Sequence, residues 1–268
     1  MKTLRKLLIA SLSVAVLATA TAHAASTTDY SDQWWVPSES GWGAAVLQQS
    51  NALFVDLMVY GTDGKPVWFV AAASLQTGSA QGHTVFLGDL YATVGPYYGG
   101  AFNPALVSER KVGTLTFDAN TPNNATMSYT VDGTPVVKNV TRQTWSYENL
   151  NGTYETVWNT GCGSEAEYAF DWTTTRTSIR HNSDNSVSMT VTCPLCFSQF
   201  QYDLRGTYSQ SGHLGRIAAD LVAPAAGSIV ISEIATSTAG FTGRFTGNIT
   251  VSGRACRFEN GLIGAVLR

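Results

Sequence analysis

Charged residues are scarce in this chain of 268 residues, where Lys, Arg, Asp and Glu together make up 13%. Low charge combined with 11% aromatic residues is typical of an extracellular β-protein and unlike a disordered chain. The formal net charge is −3, and it falls to −6 once the three cations of the predicted leader described below are removed. This acidic balance argues against nucleic acid or an anionic membrane surface as the main partner.

Long apolar runs are missing after the N-terminus, so the sequence predicts no membrane span in the mature chain. The N-terminus itself carries Lys2, Arg5 and Lys6, then an apolar run over residues 7–20, then Ala22-His23-Ala24. This order of a positive start, an apolar run and small residues predicts a signal peptide, residues 1–24, that is cleaved after Ala24. The mature chain is therefore expected to be exported to the periplasm or the extracellular space.

Recognisable catalytic and metal-binding patterns are absent as well. The exported part keeps His83, His181 and His213, and none of them has the spacing of a zinc site. A Gly-x-Ser-x-Gly nucleophile turn does not occur. The sequence therefore predicts no catalytic residue, no metal and no cofactor, and it favours a binding protein over an enzyme.

Cysteine is absent from the first half, and all four cysteines lie in the second half: Cys162, Cys193, Cys196 and Cys256. An even number in an exported chain predicts disulfides, with three possible pairings. We favour Cys162–Cys193 with Cys196–Cys256, since the two closely spaced cysteines would then join neighbouring strands to different partners. Cys193 and Cys196 also have the spacing of a redox pair, and a four-cysteine metal knot is a further alternative. Their flanks, however, read as strand and not as the helix N-terminus that activates a thiol.

The chain does contain many short segments of β-like alternation separated by turn residues. The predicted strands of the first half are 42–49, 53–60, 66–74, 83–91, 112–118, 125–131 and 135–141. Those of the second half are 153–158, 165–173, 186–192, 199–210, 213–222, 227–234, 240–251 and 255–266. Asp-Gly at 63–64 and 132–133 predicts hairpins, and 93–110 reads as a long loop. We predict an all-β fold with two antiparallel barrel-like or meander domains in tandem, over 34–145 and 150–268, after a lead-in at 25–33.

The most unusual stretch is residues 34–43, Trp-Trp-Val-Pro-Ser-Glu-Ser-Gly-Trp-Gly. Pro37 fixes its own backbone angle, while Gly41 and Gly43 permit angles or close approaches that other residues do not. The sequence predicts a rigid aromatic corner here that plugs or rims one end of the first barrel.

Aromatic rings and two acids follow this corner and suggest a ligand site. The candidate ligand-binding residues are Trp34, Trp35, Glu39, Trp42, Asp56, Tyr60 and Trp68. Flat rings with polar edges suit sugars or other small ligands, and carboxylates accept hydrogen bonds from hydroxyls. Two other interpretations remain: a polymer hydrolase that uses Glu39 and Asp56 as acid and base, or a structural or surface-assembly protein whose rings only fill the core.

The motif Trp-Trp-x-Pro-x-Glu-Ser-Gly-Trp-Gly, with Gln48-Gln49, Asp63-Gly64-Lys65-Pro66 and Trp68, resembles a module of exported bacterial proteins over about residues 33–142. The second half resembles a companion C-terminal module that contains cysteines. Its matching stretches are 206–212, 241–245 and 256–264. The resemblance implies a β-fold and an exported location, and it implies no particular activity.

Overall fold

The computed structural model of the protein describes residues 28–77, 82–160, 171–193, 201–222, 226–251 and 254–268. The predicted signal peptide lies outside these residues. Within the described part of the chain, all regular structure is β-strand apart from one 3-10 helix. The strands form two closed antiparallel barrels of eight strands in tandem, so the predicted all-β, two-barrel fold is confirmed.

The first barrel consists of β1 (Asp32–Trp35), β2 (Gly43–Gln49), β3 (Ala52–Tyr60), β4 (Pro66–Leu75), β5 (Thr84–Val94), β6 (Ser108–Thr121), β7 (Asn124–Val131) and β8 (Thr134–Arg142). The 3-10 helix, Pro104–Leu106, lies in the connection between β5 and β6. Each strand pairs with the next, and β1 closes the barrel by pairing with β8, where Trp34 lies opposite Arg142. This contact joins the first and last strands over two residue pairs, Trp34–Arg142 and Trp35–Thr141, and closure of this kind protects sheet edges.

The second barrel consists of β9 (Gly152–Thr160), β10 (Asp171–His181), β11 (Ser186–Thr192), β12 (Gln201–Ser211), β13 (Leu214–Leu221), β14 (Ala226–Ser237), β15 (Gly240–Val251) and β16 (Arg254–Leu267). It closes where β16 pairs with β9, with Gly264 opposite Val157. The residues between β8 and β9 connect the two barrels. Within the described residues, no helix has the length and apolarity needed to cross a bilayer.

Side chains fill the interior of the first barrel. Trp34 is fully buried and meets the ring of Phe117 edge-on, with ring centroids 5.0 Å apart. Tyr30 packs on the same phenylalanine at 5.6 Å, and its carbonyl oxygen accepts a hydrogen bond of 3.0 Å from Trp34 Nε1. Burying one such ring contributes roughly 1.5–3 kcal/mol. An eight-stranded barrel is just wide enough for such a side-chain core.

The interior of the second barrel combines aromatic rings with a buried hydroxyl cluster. The rings of Trp158 and Phe245 meet edge-on at 5.1 Å. Thr156 Oγ1 lies 2.7 Å from the hydroxyl oxygens of both Thr175 and Thr177. Trp158 Nε1 donates to Thr175 Oγ1 at 3.0 Å. These hydroxyls are satisfied by one another, as buried polar groups require.

The predicted hairpin turn between β7 and β8 is confirmed. Asp132 and Gly133 have φ angles of +47° and +85°, and both signs are those of a type I′ turn, which matches the twist of two paired strands. The direct pairing of Val131 with Thr134 shows the two-residue loop.

One local prediction was wrong, and one strand extends beyond its predicted end. Trp34 and Trp35 were placed in the corner, but they lie on β1 because this strand is needed to close the barrel between β2 and β8. The strand predicted at 165–173 falls largely outside the described residues, and β10 continues to His181. Its inward positions include Thr175 and Thr177, so apolar alternation did not reveal it.

A turn of the second barrel rests on the segment that joins the barrels. At the tip of the β12–β13 hairpin, Gly212 N donates to Thr144 Oγ1 at 2.9 Å. Nearby, Gln210 Nε2 donates to the carbonyl oxygen of Ser146 at 2.8 Å, and its Oε1 accepts from Glu148 N at 2.8 Å. These hydrogen bonds tie the second barrel to the connecting segment.

Candidate recognition face on the first barrel

Trp34, the first candidate ligand residue, has no surface available to a ligand. Its side chain is fully buried in the barrel. The Arg142 guanidinium lies 4.9 Å from the centre of its ring, at the range of a cation–π contact. Trp34 is therefore a core residue in this structure.

Trp35, one position later, points to the opposite side of the barrel wall because side chains alternate along a strand. Trp35 belongs to a row of paired residues that crosses four neighbouring strands. The row continues through Gly43 on β2 and Met58 on β3 to Trp68 on β4. Trp68 is 55% exposed, and Trp35 is half-buried. Because Gly43 carries no side chain, the row presents two indoles and a thioether along one outer strip of the barrel.

Asp56 occupies the next outward row, between Ala45 on β2 and Val70 on β4. The residue is half-buried. Among the described residues its carboxylate has no hydrogen bond and no ion pair. An acid in a strand this apolar is expected either at a solvent-facing edge or buried with partners, and neither describes this position in the middle of a closed sheet. A carboxylate that is partly removed from water without a partner is an unfavourable arrangement.

A second apolar row borders Asp56 on its other side, where Leu47 on β2 lies opposite Phe54 on β3. Both side chains are exposed, as is Tyr60 near the end of β3. The resulting surface, which we call the β1–β4 face, consists of Trp35, Leu47, Phe54, Asp56, Met58, Tyr60 and Trp68. Contiguous exposed apolar surface of this kind marks an interaction site in soluble proteins.

Sequence reasoning missed Leu47, Phe54 and Met58 as members of this face. A signal was present: residues 53–60, Leu-Phe-Val-Asp-Leu-Met-Val-Tyr, are apolar at almost every position. A strand with only one buried face alternates apolar and polar residues. In residues 53–60, both the odd-numbered and the even-numbered positions are mostly apolar. This pattern indicated that the outer side of β3 is apolar as well as the inner side.

The corner, now limited to residues 36–42, caps the end of the first barrel. Trp42 is half-buried against the core, and its Nε1 donates to the Tyr129 hydroxyl at 3.1 Å. The Lys138 ammonium lies 6.0 Å from the Trp42 ring centre and forms an ion pair with Glu39. Trp42 and Glu39 are thus already engaged in contacts that hold the barrel end together.

Gly41 links this corner to the β1–β4 face. Its φ angle is +102°, and a Cβ at this position would come within 2.7 Å of the Tyr60 hydroxyl. Only glycine combines this backbone angle with such a close approach. The corner therefore fixes the place of Tyr60 at the border of the face.

Glu39 and Asp56, the candidate acid and base, do not flank a common cleft. The Glu39 carboxylate meets Lys138, which pairs in register with the buried Met127 and so belongs to the inner side of the wall. Asp56 is on the outer side. Glycoside hydrolysis needs two carboxyl groups on either side of one glycosidic bond, and this geometry does not supply them.

Of the predicted disulfide residues, Cys193 lies within the described side chains. It is buried and disulfide-bonded. Cys162 and Cys196 lie outside the described residues, and nothing is described of the Cys256 side chain. The pairing therefore stays a prediction. Among the described residues, no group of three or more His, Cys, Asp or Glu side chains is arranged to hold a metal ion.

Comparison of the chain with protein-family models, with curated protein sequences and with solved structures finds no match. We therefore infer the function from the site itself. That site combines two outward indoles, an exposed tyrosine and a carboxylate that has no partner among the described residues, all on one face of the first barrel.

Proposed function

We propose that this protein is an exported, non-enzymatic binding protein whose β1–β4 face takes carbohydrate. The observation that carries the proposal is Asp56, a half-buried carboxylate without a partner among the described residues, set between two apolar rows. A sugar offers the matching chemistry, since its C–H face packs on indole and phenol rings while its hydroxyls donate to a carboxylate.

A flat outer face differs from the barrel-mouth site expected from the sequence. The interior of the first barrel is filled by side chains, Trp34 among them, so a ligand approaches the wall from outside. An open face of this type suits a polymer chain lying along the strands better than a small molecule enclosed in a cavity. Polysaccharides outside the cytoplasm are the class of ligand we infer.

The test is a titration of intrinsic tryptophan fluorescence, followed by calorimetry, against a panel of neutral and acidic polysaccharides. Trp68→Ala is expected to weaken binding roughly tenfold through lost ring contact. Asp56→Asn is expected to weaken it roughly tenfold or more, since hydrogen bonds to charged groups contribute about 1.5–3 kcal/mol. Trp145→Ala is the matched control, because Trp145 is 75% exposed and belongs to the segment between the barrels, not to this face.

Equal weakening by Trp145→Ala would contradict the assignment of the face, and no binding to any member of the panel would contradict the proposed function. A second candidate, a surface-assembly protein, is favoured by the exposed Leu47 and Phe54. Under that alternative the chain would self-associate in sedimentation experiments, and Phe54→Ser would abolish the association while sugars have no effect.

A further inference from the structure

The outer face of the second barrel carries a row of three polar side chains on neighbouring strands. Arg180 on β10 lies opposite Ser188 on β11, which lies opposite Arg205 on β12. The residues next to Ser188, Val187 and Met189, are buried, so this row faces outward. Neighbouring strands are about 4.8 Å apart, and the two arginines therefore flank the serine at a spacing that long side chains can bridge.

A surface hollow of about 360 Å³ lies beside this row, bounded by Arg180 and Ser188 and by further hydroxyls. Thr153 and Ser178 are hydrogen-bonded to each other at 3.1 Å across its floor. The Ser188 hydroxyl has no hydrogen-bond partner among the described residues. The hollow therefore has several hydroxyl groups and one guanidinium in its lining, and the Ser188 hydroxyl can bond a ligand.

The arginines of this row lack the carboxylate partners that cations have elsewhere in the molecule. Every other described Lys or Arg side chain except Arg216 lies within 4.0 Å of a carboxylate. Within the described part of the chain, Arg180 makes only a hydrogen bond of 3.4 Å to Asn182, and Arg205 makes none. The chain has a formal net charge of −3. Two guanidinium groups close together without carboxylate partners among the described residues therefore differ from the acidic balance of the chain.

Two acids lie near the row, and neither forms an ion pair with its arginines among the described residues. Asp203 follows on β12, and its carboxylate accepts hydrogen bonds from Thr190 at 2.7 Å and from Gln201. Asp220 lies opposite Arg205 on β13, on the side away from Ser188, and forms no ion pair among the described residues. In register, Ser188 alone stands between Arg180 and Arg205, and both acids adjoin Arg205.

We propose that Arg180, Ser188 and Arg205 bind an oxyanion carried by an extracellular polymer, either a phosphate ester or a uronate carboxylate. Guanidinium groups hold both kinds of anion through paired N–H donors in a fixed fork, and the hydroxyl adds a donor between them. This site is separate from the β1–β4 face and does not depend on its function.

The experiment is calorimetric titration of the full folded chain with inorganic phosphate, with galacturonate oligomers and with pullulan as a neutral polymer. We expect phosphate or galacturonate to bind, with an affinity that falls as salt is raised. Arg180→Gln combined with Arg205→Gln should lower this affinity at least about tenfold, since each lost charged hydrogen bond is worth more than one factor of ten. Binding of phosphate alone assigns a phosphorylated polymer, and binding of galacturonate alone assigns a uronate polymer.

Arg216→Gln is the matched control, because Arg216 is the remaining described cation without a carboxylate partner and lies on β13 outside the row. The affinity of the Arg216→Gln variant for the anion should equal that of the unmodified chain. Circular dichroism checks that each variant is folded. Absence of binding to both anions, or equal loss in Arg216→Gln, would overturn the proposal. Trp68→Ala should leave anion binding unchanged, which separates this test from that of the proposed function.

Discussion

Replacing Arg142 with methionine is expected to lower the free energy of unfolding by roughly 3–5 kcal/mol, the range measured when one partner of a buried ion pair is removed. The Arg142 side chain is 0% exposed, and that of its partner Asp32 is 9% exposed. Arg142 Nη1 lies 3.1 Å from Asp32 Oδ2. The residue sits at the end of β8, where the first barrel meets the second.

Several other groups depend on this guanidinium. It donates to the carbonyl oxygens of Asp29, Ser31 and Pro122. The same Asp32 carboxylate accepts a hydrogen bond of 2.9 Å from His213 N in the second barrel. Removing the cation therefore leaves three carbonyls without this donor, and it leaves a nearly buried carboxylate held only by neutral backbone N–H groups of Gln33 and His213 and by the His213 ring. Methionine keeps an apolar stem against Trp34, so the expected loss is mainly electrostatic.

Urea denaturation at pH 7, followed by circular dichroism, measures the change. Arg110→Met is the matched control because Arg110 also pairs with an aspartate, Asp132, yet both side chains are more than half exposed. The exposed pair should contribute far less, since water screens it. A destabilisation by Arg142→Met no larger than that of Arg110→Met would refute the reasoning that burial makes this pair important.

Three further predictions concern the same junction. Burial by itself would raise the pKa of Asp32, but hydrogen bonds from His213 and Arg142 outweigh it and hold that pKa below its usual value. Asp32 therefore stabilises the fold above about pH 4, where the carboxyl of the unfolded chain is ionised. This stabilisation is lost as the pH falls through the lowered pKa of the folded state. Asp32→Asn should therefore flatten the dependence of the unfolding free energy on pH below about pH 4. Gly212→Ala should destabilise the protein by more than about 1 kcal/mol, because φ is +60° and the new Cβ would overlap Asp32 Oδ2. Burial, with a smaller contribution from Glu148, raises the pKa of Tyr208 to about 12, so an ultraviolet titration of the wild type and Tyr208→Phe should differ only at strongly alkaline pH.

Each of these predictions has an outcome that contradicts it. If Asp32→Asn leaves the fall of unfolding free energy at acid pH unchanged, the Asp32 carboxylate is not held ionised by its partners. Gly64→Ala is the control for the backbone angle, because Gly64 has a φ of +72° and nothing lies within 4 Å of its Cβ position. If both substitutions lower the unfolding free energy equally, overlap with Asp32 is not the cause of the loss at Gly212. Loss of a phenol signal near pH 10 in Tyr208→Phe would mean that Tyr208 is solvated.

Much of the fold was visible in short stretches of sequence. The Asp-Gly pair at 132–133 predicted a hairpin because only a turn with positive φ angles joins two twisted strands so tightly, and the observed angles agree. Strand β15, Gly240–Val251, was predicted with the same bounds. Alternation and turn chemistry are local properties, so neighbouring residues reveal them.

The candidate face was only partly visible, and the reason lies in pairing between distant segments. Trp34 and Trp35 have the same chemistry and adjacent positions, yet one fills the core and the other belongs to the outer row. The sequence predicted an aromatic corner here because nothing local shows that β8, more than 100 residues later, would pair with this segment.

By itself, the sequence determined that the chain is all-β, that its strands are joined by short turns, and that aromatic rings concentrate near residues 34–68 with Glu39 and Asp56 among them. The tertiary structure alone decided which side of the wall each ring faces, left Asp56 without a partner among the described residues, and brought Arg180 and Arg205 to either side of Ser188. Composition and turns act within a few residues. Register and barrel closure act between strands far apart in the chain, and they place the side chains that meet a ligand.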